Sequence, residues 1–300
     1  MAKLTLQRVS PHSTVQDAGR TNGLQYGLSA SGPMDRPAFD QCLTLLGEAA
    51  ATGLEFTFLG LSFTYEGPAM AMAGAGGEFL LSINGAAQNW PVKTELHDGD
   101  KVDIQTGPNG MYGYVRFAAD IDVPLLLGSK STNLAAQIGG LSGRALAIGD
   151  EISLKQGAVL TAAQHVKDPP LQEPDPVVTL RVLPGLHADL LGPNIWHNLF
   201  EHEFQISAST DRMGVRLVDA HDRFASMEKL NLISDAVVPG DVQILGDGTP
   251  VILMRDHQPT GGYPRIATLI DKDLDRAAQL RPNTRIKFQS ISLEKAHYLL

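Results

Sequence analysis

Short alternating segments, many of them closed by a glycine, follow one another through this chain. The first half carries "LEFTFLG", "LSFTYEG", "AMAMAGA", "EFLLSING", "KVDIQTG" and "YGYVRFA". The second carries "VVTLRVLPG", "EFQISAS", "VRLVDA", "DVQIL", "VILM" and "RIKFQSIS". Alternation puts apolar side chains on one face of a pleated strand, and many short strands at close spacing build barrels or sandwiches. The fold is therefore expected to be mainly β.

Helical patterns are few. Asp35 caps "RPAFDQCLTLLG", where Phe39, Cys42, Leu43 and Leu46 share a face and Gly47 ends the run. Cys42 then reads as a buried apolar residue rather than a nucleophile. Further short helices are expected over "PNIWHNLFEH", from Asp271 to before Arg281-Pro282, and over "LEKAHYLL" behind a Ser292 cap.

With 300 residues the chain exceeds the usual size of a single core. The best divide is "KDPPLQEPDP", residues 167–176, with four prolines and four charges in ten residues. This predicts subdomains at 1–168 and 177–300, joined by a linker at 169–176. A net charge of −9, with no cluster of Lys and Arg, argues against nucleic acid. One cysteine excludes an intramolecular disulfide and fits a reducing compartment. No apolar run reaches the ~20 residues of a membrane helix. The expectation is a soluble, cytoplasmic protein with no nucleic-acid or membrane partner; self-association is left open.

Several motifs fail on inspection. "AGAGGEF", residues 73–79, precedes a strand, whereas a dinucleotide loop opens a helix. "GSKST", residues 128–132, has Ser129 where a phosphate loop needs glycine before its lysine. His197 and His202 have the wrong spacing for a zincin pair, so no metal site is expected. "GLSGR", residues 140–144, misses the nucleophile elbow by one position. No lysine sits between methionines, so the chain carries no biotin attachment site.

Polar, glycine-marked loops remain. One is "TVQDAGRTNGLQYGLSASGPMD", residues 14–35; another is "DVPLLLGSKSTNLAAQIGGLSGRALAIGD", residues 122–150; a third is "STDRMGVRL", residues 209–217. The richest is the connector from Asp256 to Pro264, between predicted strands Val251–Met254 and Arg265–Ile270. A tight hairpin needs about two to five residues. Long ordered loops on a β scaffold are common places for binding chemistry.

These segments resemble the biotin-dependent carboxyltransferase-like family that includes the C subunit of bacterial 5-oxoprolinase, also called allophanate hydrolase subunit 2. The pattern runs as Thr14-Val15-Gln16-Asp17 with Gly19-Arg20, then Ser31-Gly32 and Asp35. It continues as Leu127-Gly128-Ser129 with Ser131-Thr132, Gly139-Gly140, Gly143-Arg144 and Gly149-Asp150. Asp211-Arg212-Met213-Gly214, Gln258 and Thr260-Gly261-Gly262-Tyr263-Pro264 complete it.

The resemblance implies two cyclophilin-like β-barrel subdomains. It also implies a multi-subunit, ATP-dependent amidohydrolase that opens 5-oxoproline to glutamate beside cognate 5-oxoprolinase-type partner subunits, the ATP site lying on this chain or on a partner. One alternative is the carboxyltransferase component of a urea-carboxylase-like system served by a separate biotin carrier. Another is a non-enzymatic module that binds its partner subunit.

A lactam site needs cations or amide donors for anionic oxygens and a carboxylate to activate water. The nominated catalytic groups are Asp17, Asp256 and Tyr263. Gln16, Arg20, Arg212, Gln258, Thr260, Gly261, Gly262 and Arg265 are nominated for a small-molecule amide substrate. Structural readings stand beside these. Asp17 and Arg20 would bind each other, Asp211 and Arg212 would cap a turn, and Tyr263-Pro264 would buttress the sheet. For Ser129, Ser131 and Arg144 the structural reading leads.

Overall fold

The computed structural model describes residues 2–155, 159–161, 176–190, 193–224 and 232–299. The linker predicted at 169–176 lies outside the described residues apart from Pro176. Two compact units emerge, one of Met1–Gln25 with Ala30–Lys167 and one of Tyr26–Ser29 with Asp168–Leu300. Strand makes up 41% and helix 14%, so sheets supply the cores. Among the described residues no helix is long and apolar enough to cross a membrane.

In the first unit a seven-stranded sheet has Ala2–Val9 and Leu61–Glu66 near its centre, and a five-stranded sheet centres on Tyr112–Phe117. Their facing side chains form one apolar core that includes Leu4, Phe56, Phe63 and Phe117. Edge-to-face pairs such as Phe56–Phe79, at 5.0 Å between centroids, add to the burial.

Helix Arg36–Leu46 starts where expected: Asp35 Oδ1 accepts from Ala38 N at 3.0 Å, and Gly47 closes it with φ 80°. Phe39, Cys42 and Leu46 are buried, and burial pushes the Cys42 thiol up to about 12, which makes it inert. The "AGAGGEF" stretch ends strand Met70–Ala75, turns through residues 76–78 with Gly76 and Gly77 at positive φ, and enters strand Phe79–Ile83.

The second unit is a closed seven-stranded barrel. Its order is Val178–Pro184, Arg265–Leu269, Asp241–Ile244, Pro250–Leu253, Gly214–Val218, Glu203–Thr210 and Arg285–Ser290, the last pairing parallel with the first. Closure removes the exposed edges that an open sheet would leave. Val215, Val242 and Ile252 share one face by register and fill the interior, while Arg216 faces out. Among the described residues, helices Asp271–Ala278 and Leu293–Tyr298 lie within the limits their end signals set, and the segment expected to be helical at 193–202 is helix over Pro193–Phe200.

Strand order explains the long connector. Pro250–Leu253 and Arg265–Leu269 are not neighbours; both pair with Asp241–Ile244, from opposite sides. The chain must therefore cross the end of that central strand, which no tight turn can do. On the way it forms a two-stranded ribbon, Thr260–Gly261 against Asp235–Ala236. Val237, at the end of this ribbon, packs on Val251 and Leu253, which point away from the interior. The ribbon thus roofs part of the barrel's outer wall.

Candidate functional site

The nominated residues fall into three groups. Gln16, Asp17 and Arg20 belong to the first unit and are held by the 129–133 segment. Asp17 Oδ1 accepts from Ser129 Oγ and Ser131 Oγ, each at 2.6 Å, and from Gly19 N at 2.9 Å. Its Oδ2 accepts from Lys130 N at 2.6 Å. Burial pushes this carboxyl up, but the two hydroxyls and two backbone N–H groups outweigh it, and the net pKa lies below the ordinary value.

A carboxylate so supplied is a weak proton acceptor, which corrects the nomination of Asp17 as a general base. Arg20, 1% exposed, donates to the Ser131 carbonyl, so it does not present itself to substrate; nor is the expected Asp17–Arg20 pair what anchors Asp17. Gln16 is fully buried and donates from Nε2 to Thr14 Oγ1 and the Thr132 carbonyl. In the "GSKST" stretch Ser129, Ser131 and the Lys130 backbone N–H donate to Asp17, while the Lys130 ammonium donates to Asp120 and the Ile121 carbonyl and Thr132 to the Val15 carbonyl. Arg144 forms a two-bond pair with Asp150, at 2.8 and 2.7 Å.

The second group is Arg212 with Asp256. Arg212 Nε and Nη2 donate to the two Asp256 oxygens at 2.9 and 3.1 Å, and both side chains are almost fully buried. Asp256 N also donates to the Arg212 carbonyl. This pair ties strand Gly214–Val218 to the exit of Pro250–Leu253. Asp256, nominated as base, and Arg212, nominated as substrate clamp, hold each other away from solvent, which gives both a structural role. Asp211 caps the turn at Met213 and Gly214, as its structural reading anticipated.

The third group does converge. Gln258, Thr260, Gly261, Gly262, Tyr263 and Arg265 lie on or beside the ribbon that roofs the barrel wall. A β-bulge makes Arg265 the register partner of Gln243, so the two side chains share the outer face. Arg265 pairs with Asp235 at 3.2 Å and Asp241 at 3.5 Å. Its backbone N–H donates to His187 Nδ1. Burial and the Arg265 charge hold the His187 pKa down, and burial does the same for His257, so both imidazoles favour the neutral form. Tyr263 is 44% exposed and Thr260 is exposed, so the ribbon's rim is open.

Two donors at this wall have no hydrogen-bond partner among the described residues, Gln243 Nε2 and Arg265 Nε. Gln258 Nε2 donates to Gln243 Oε1 at 3.2 Å, which turns the free Gln243 amide nitrogen toward Gly261. A Cβ on Gly261 would lie 2.9 Å from Gln243 Nε2 and 3.5 Å from Gln258 Nε2. Sequence reading missed Gln243 because "DVQIL" reads as a plain strand whose polar position faces solvent. The ribbon buries it completely instead.

An open groove of about 330 Å³ elsewhere on the barrel, lined by residues such as Ser207, Arg216, Asp219 and Asp247, contains none of the nominated residues. No cluster of metal-ligating side chains occurs among the described residues.

Comparison with known proteins agrees with this architecture. The family model "Carboxyltransferase domain, subdomain A and B" matches residues 26–290. The chain belongs to that family. It is 34% identical over 296 residues to the 5-oxoprolinase C subunit of Escherichia coli, covering 98% of this chain and 93% of that protein. With the Haemophilus influenzae protein of the same name it shares 31% over 290 residues, 96% of this chain and 91% of the other. The crystal structure of the K. lactis urea amidolyase superimposes with a TM-score of 0.87 at 25% identity, covering 98% of this chain but 19% of that one. Members of the family are thus parts of larger enzyme systems.

Proposed function

We propose that this chain is a non-autonomous subunit of a 5-oxoprolinase-like, ATP-dependent amidohydrolase, and that the roofed barrel wall is its substrate-facing surface. One observation carries the reading: both of the 5-oxoprolinase C subunits align over nearly their whole length, 91% and 93%. The urea amidolyase of Lachancea kluyveri, by contrast, is 28% identical and has 17% of its length matched.

The chemistry fits the wall. A lactam resists water because its amide is stabilised, and attack on its carbonyl carbon places negative charge on oxygen. Fixed donors aimed at that oxygen lower the barrier most when they are already oriented and shielded. Arg265 and Gln243 are such donors, carried by strands Arg265–Leu269 and Asp241–Ile244, and Gln258 in the connector orients the Gln243 amide. Asp17 is spent on four donors that hold its pKa down and Asp256 is paired with Arg212 away from solvent, so the water-activating group is assigned to a partner subunit. The two stretches nearest to phosphate loops are a strand-to-strand turn and the Asp17 anchor. We therefore place ATP with the partners too.

The test is ATP-dependent glutamate release from 5-oxoproline, by this chain alone and mixed with its cognate subunits. Activity in the mixture and none with the chain alone is the expected result. An assembled complex without activity shifts the reading to the family's other branch, carboxyl transfer from a separate biotin carrier. That branch predicts carboxyl transfer in the presence of carboxylated biotin and no need for 5-oxoproline.

A further inference from the structure

The open groove on the barrel's outer wall owes its shape to an interruption in strand pairing. Strand Glu203–Thr210 pairs with Gly214–Val218 at Ile206 with Leu217, and again at Thr210 with Val215. Between those points Ser207, Ala208 and Ser209 bulge out opposite Arg216 alone. The bulge is fastened from within: Ser209 N donates to Ser207 Oγ at 3.1 Å and Thr210 Oγ1 to the Ser207 carbonyl at 3.0 Å. On the other side of Gly214–Val218, the turn leading into Pro250–Leu253 makes a second rim. It is closed by Gly248 N on the Leu245 carbonyl and Leu245 N on the Thr249 carbonyl, each at 2.9 Å. The space, about 330 Å³, is lined by Ser207, Ser209, Arg216, Asp222, Asp247 and Thr249 among others, and suits a small metabolite.

The charges around it are not all spent. Arg216 is exposed, and its guanidinium makes no hydrogen bond or ion pair among the described residues. Of the three carboxylates on the rims, Asp219 is taken by Arg223, accepting from its guanidinium and, at 2.6 Å, from its backbone N–H. Asp247 accepts from Thr249 N at 2.9 Å, and a carboxylate has lone pairs for further donors. The Asp222 side chain accepts from nothing among the described residues. Hydrogen bonds from Thr249 hold the Asp247 carboxyl below its ordinary range, and the Arg216 charge adds to this. Arg216 and Asp247 thus feel each other within the groove without forming an ion pair.

That pattern selects a ligand by its charges. An anion would gain Arg216 but meet two carboxylates, and a cation would gain the carboxylates but meet Arg216. A zwitterion gains both. A further negative charge on the ligand would add repulsion, whereas a neutral polar group suits the hydroxyls of Ser207, Ser209 and Thr249.

We propose that this groove binds a free α-amino acid with a neutral polar side chain, its carboxylate on Arg216, its ammonium on Asp247 and Asp222, and its side chain against the three hydroxyls. No residue of the roofed wall takes part, so the assignment does not depend on the amidohydrolase reading.

The experiment is a saturation-transfer NMR titration of the full chain at low ionic strength. Its probes are L-glutamine, L-glutamate and two analogues of glutamine that each lack one charge: glutaramate, without the α-amine, and 4-aminobutanamide, without the carboxylate. L-Glutamine is expected to bind, and each one-charge analogue to bind at least about tenfold more weakly, the worth of one charge-assisted hydrogen bond. L-Glutamate is expected to bind less tightly than L-glutamine.

Two variants read the two charges in opposite senses. Arg216→Gln should weaken L-glutamine and glutaramate about tenfold and leave 4-aminobutanamide no weaker. Asp247→Asn should weaken L-glutamine and 4-aminobutanamide and tighten glutaramate. A merely structural role would move all the probes alike. Asparagine keeps an acceptor for Thr249 N, and circular dichroism and the unfolding midpoint check both folds. Should Asp247→Asn fail to fold, Asp222→Asn reads the same sign. Three results overturn the proposal: no saturable binding of L-glutamine by the native chain, any other probe binding as tightly, or a folded Arg216→Gln variant within twofold of native for L-glutamine. Activity of the assembled complex does not enter this test, so the site and the proposed function fail separately.

Discussion

The loop around Asp17 and the wall under the ribbon are both rich in polar side chains, yet they differ in what is left over. Asp17 collects four donors and Arg20 reaches the Ser131 carbonyl, so this polar chemistry holds two loops in place. At the barrel wall Gln243 Nε2 and Arg265 Nε remain without partners among the described residues, as does Gln16 Oε1 beside Asp17. What separates the two regions is the kind of group left over and its access: the wall's two are donors under a ribbon whose rim, at Thr260 and Tyr263, is exposed, whereas the Asp17 carboxylate is spent on four donors.

The sharpest way to break this comparison is at Asp256, which lies in the same connector as the wall but behaves like the Asp17 nest. Arg212→Ala would strand a buried carboxylate and is expected to cost about 3–5 kcal/mol in denaturant unfolding. Replacing both partners by apolar residues should cost clearly less than the sum of the single losses. If Asp256→Asn instead keeps native stability and abolishes activity in the complex, Asp256 is a catalytic group after all.

Asp17 should show the next largest effect, and with a pH signature. Its folded pKa is lowered, so its stabilising contribution is present above the unfolded value, about 3.9, and is lost as pH falls toward the folded value. Asp17→Asn is expected to destabilise the chain by about 1–3 kcal/mol at neutral pH. The difference from native should shrink as the pH is taken below about 4. A constant difference across that acid range would mean that the carboxylate charge is not what the serines and backbone N–H groups hold.

How much of this was legible in advance follows from the range of each interaction. The helix at Arg36–Leu46 is written in neighbouring residues, Asp35 and Gly47, and both ends match. The strands are legible for the same reason, since alternation is local. The Arg212–Asp256 pair spans 44 residues and exists because Gly214–Val218 lies beside Pro250–Leu253 in the barrel. No spacing in the sequence reports that adjacency. The convergence of Gln258, Gly261 and Arg265 was visible because one connector carries them. Gln243 was not, because its role comes from a bulge that registers it with Arg265 and from a ribbon that covers it.

Gly261→Ala tests the wall with little expected effect on folding. Gly261 is not among the residues at positive φ, so alanine meets no backbone strain there. Its methyl, however, would arrive 2.9 Å from Gln243 Nε2, and the amide must shift. Unfolding should change by less than about 1 kcal/mol. Glutamate release from 5-oxoproline by the assembled complex should fall about tenfold, the loss of one well-placed hydrogen bond. Unchanged release would show that Gly261 merely accommodates Gln243, and the wall would then resemble the Asp17 nest.

The smallest effect is expected at Arg144, and its smallness is informative. Arg144 and Asp150 make two short bonds, as Arg212 and Asp256 do, but the Arg144 side chain is 48% exposed. Water screens the charges and both groups are solvated before they meet, so Arg144→Ala should cost about 0–1 kcal/mol and leave glutamate release by the assembled complex untouched. Raising the salt concentration should erase most of that cost, while the cost of Arg212→Ala should barely respond. If the two variants instead showed equal losses with equal salt dependence, burial would not be what separates them, and the assignment of Arg212–Asp256 as a structural pair would fail with it.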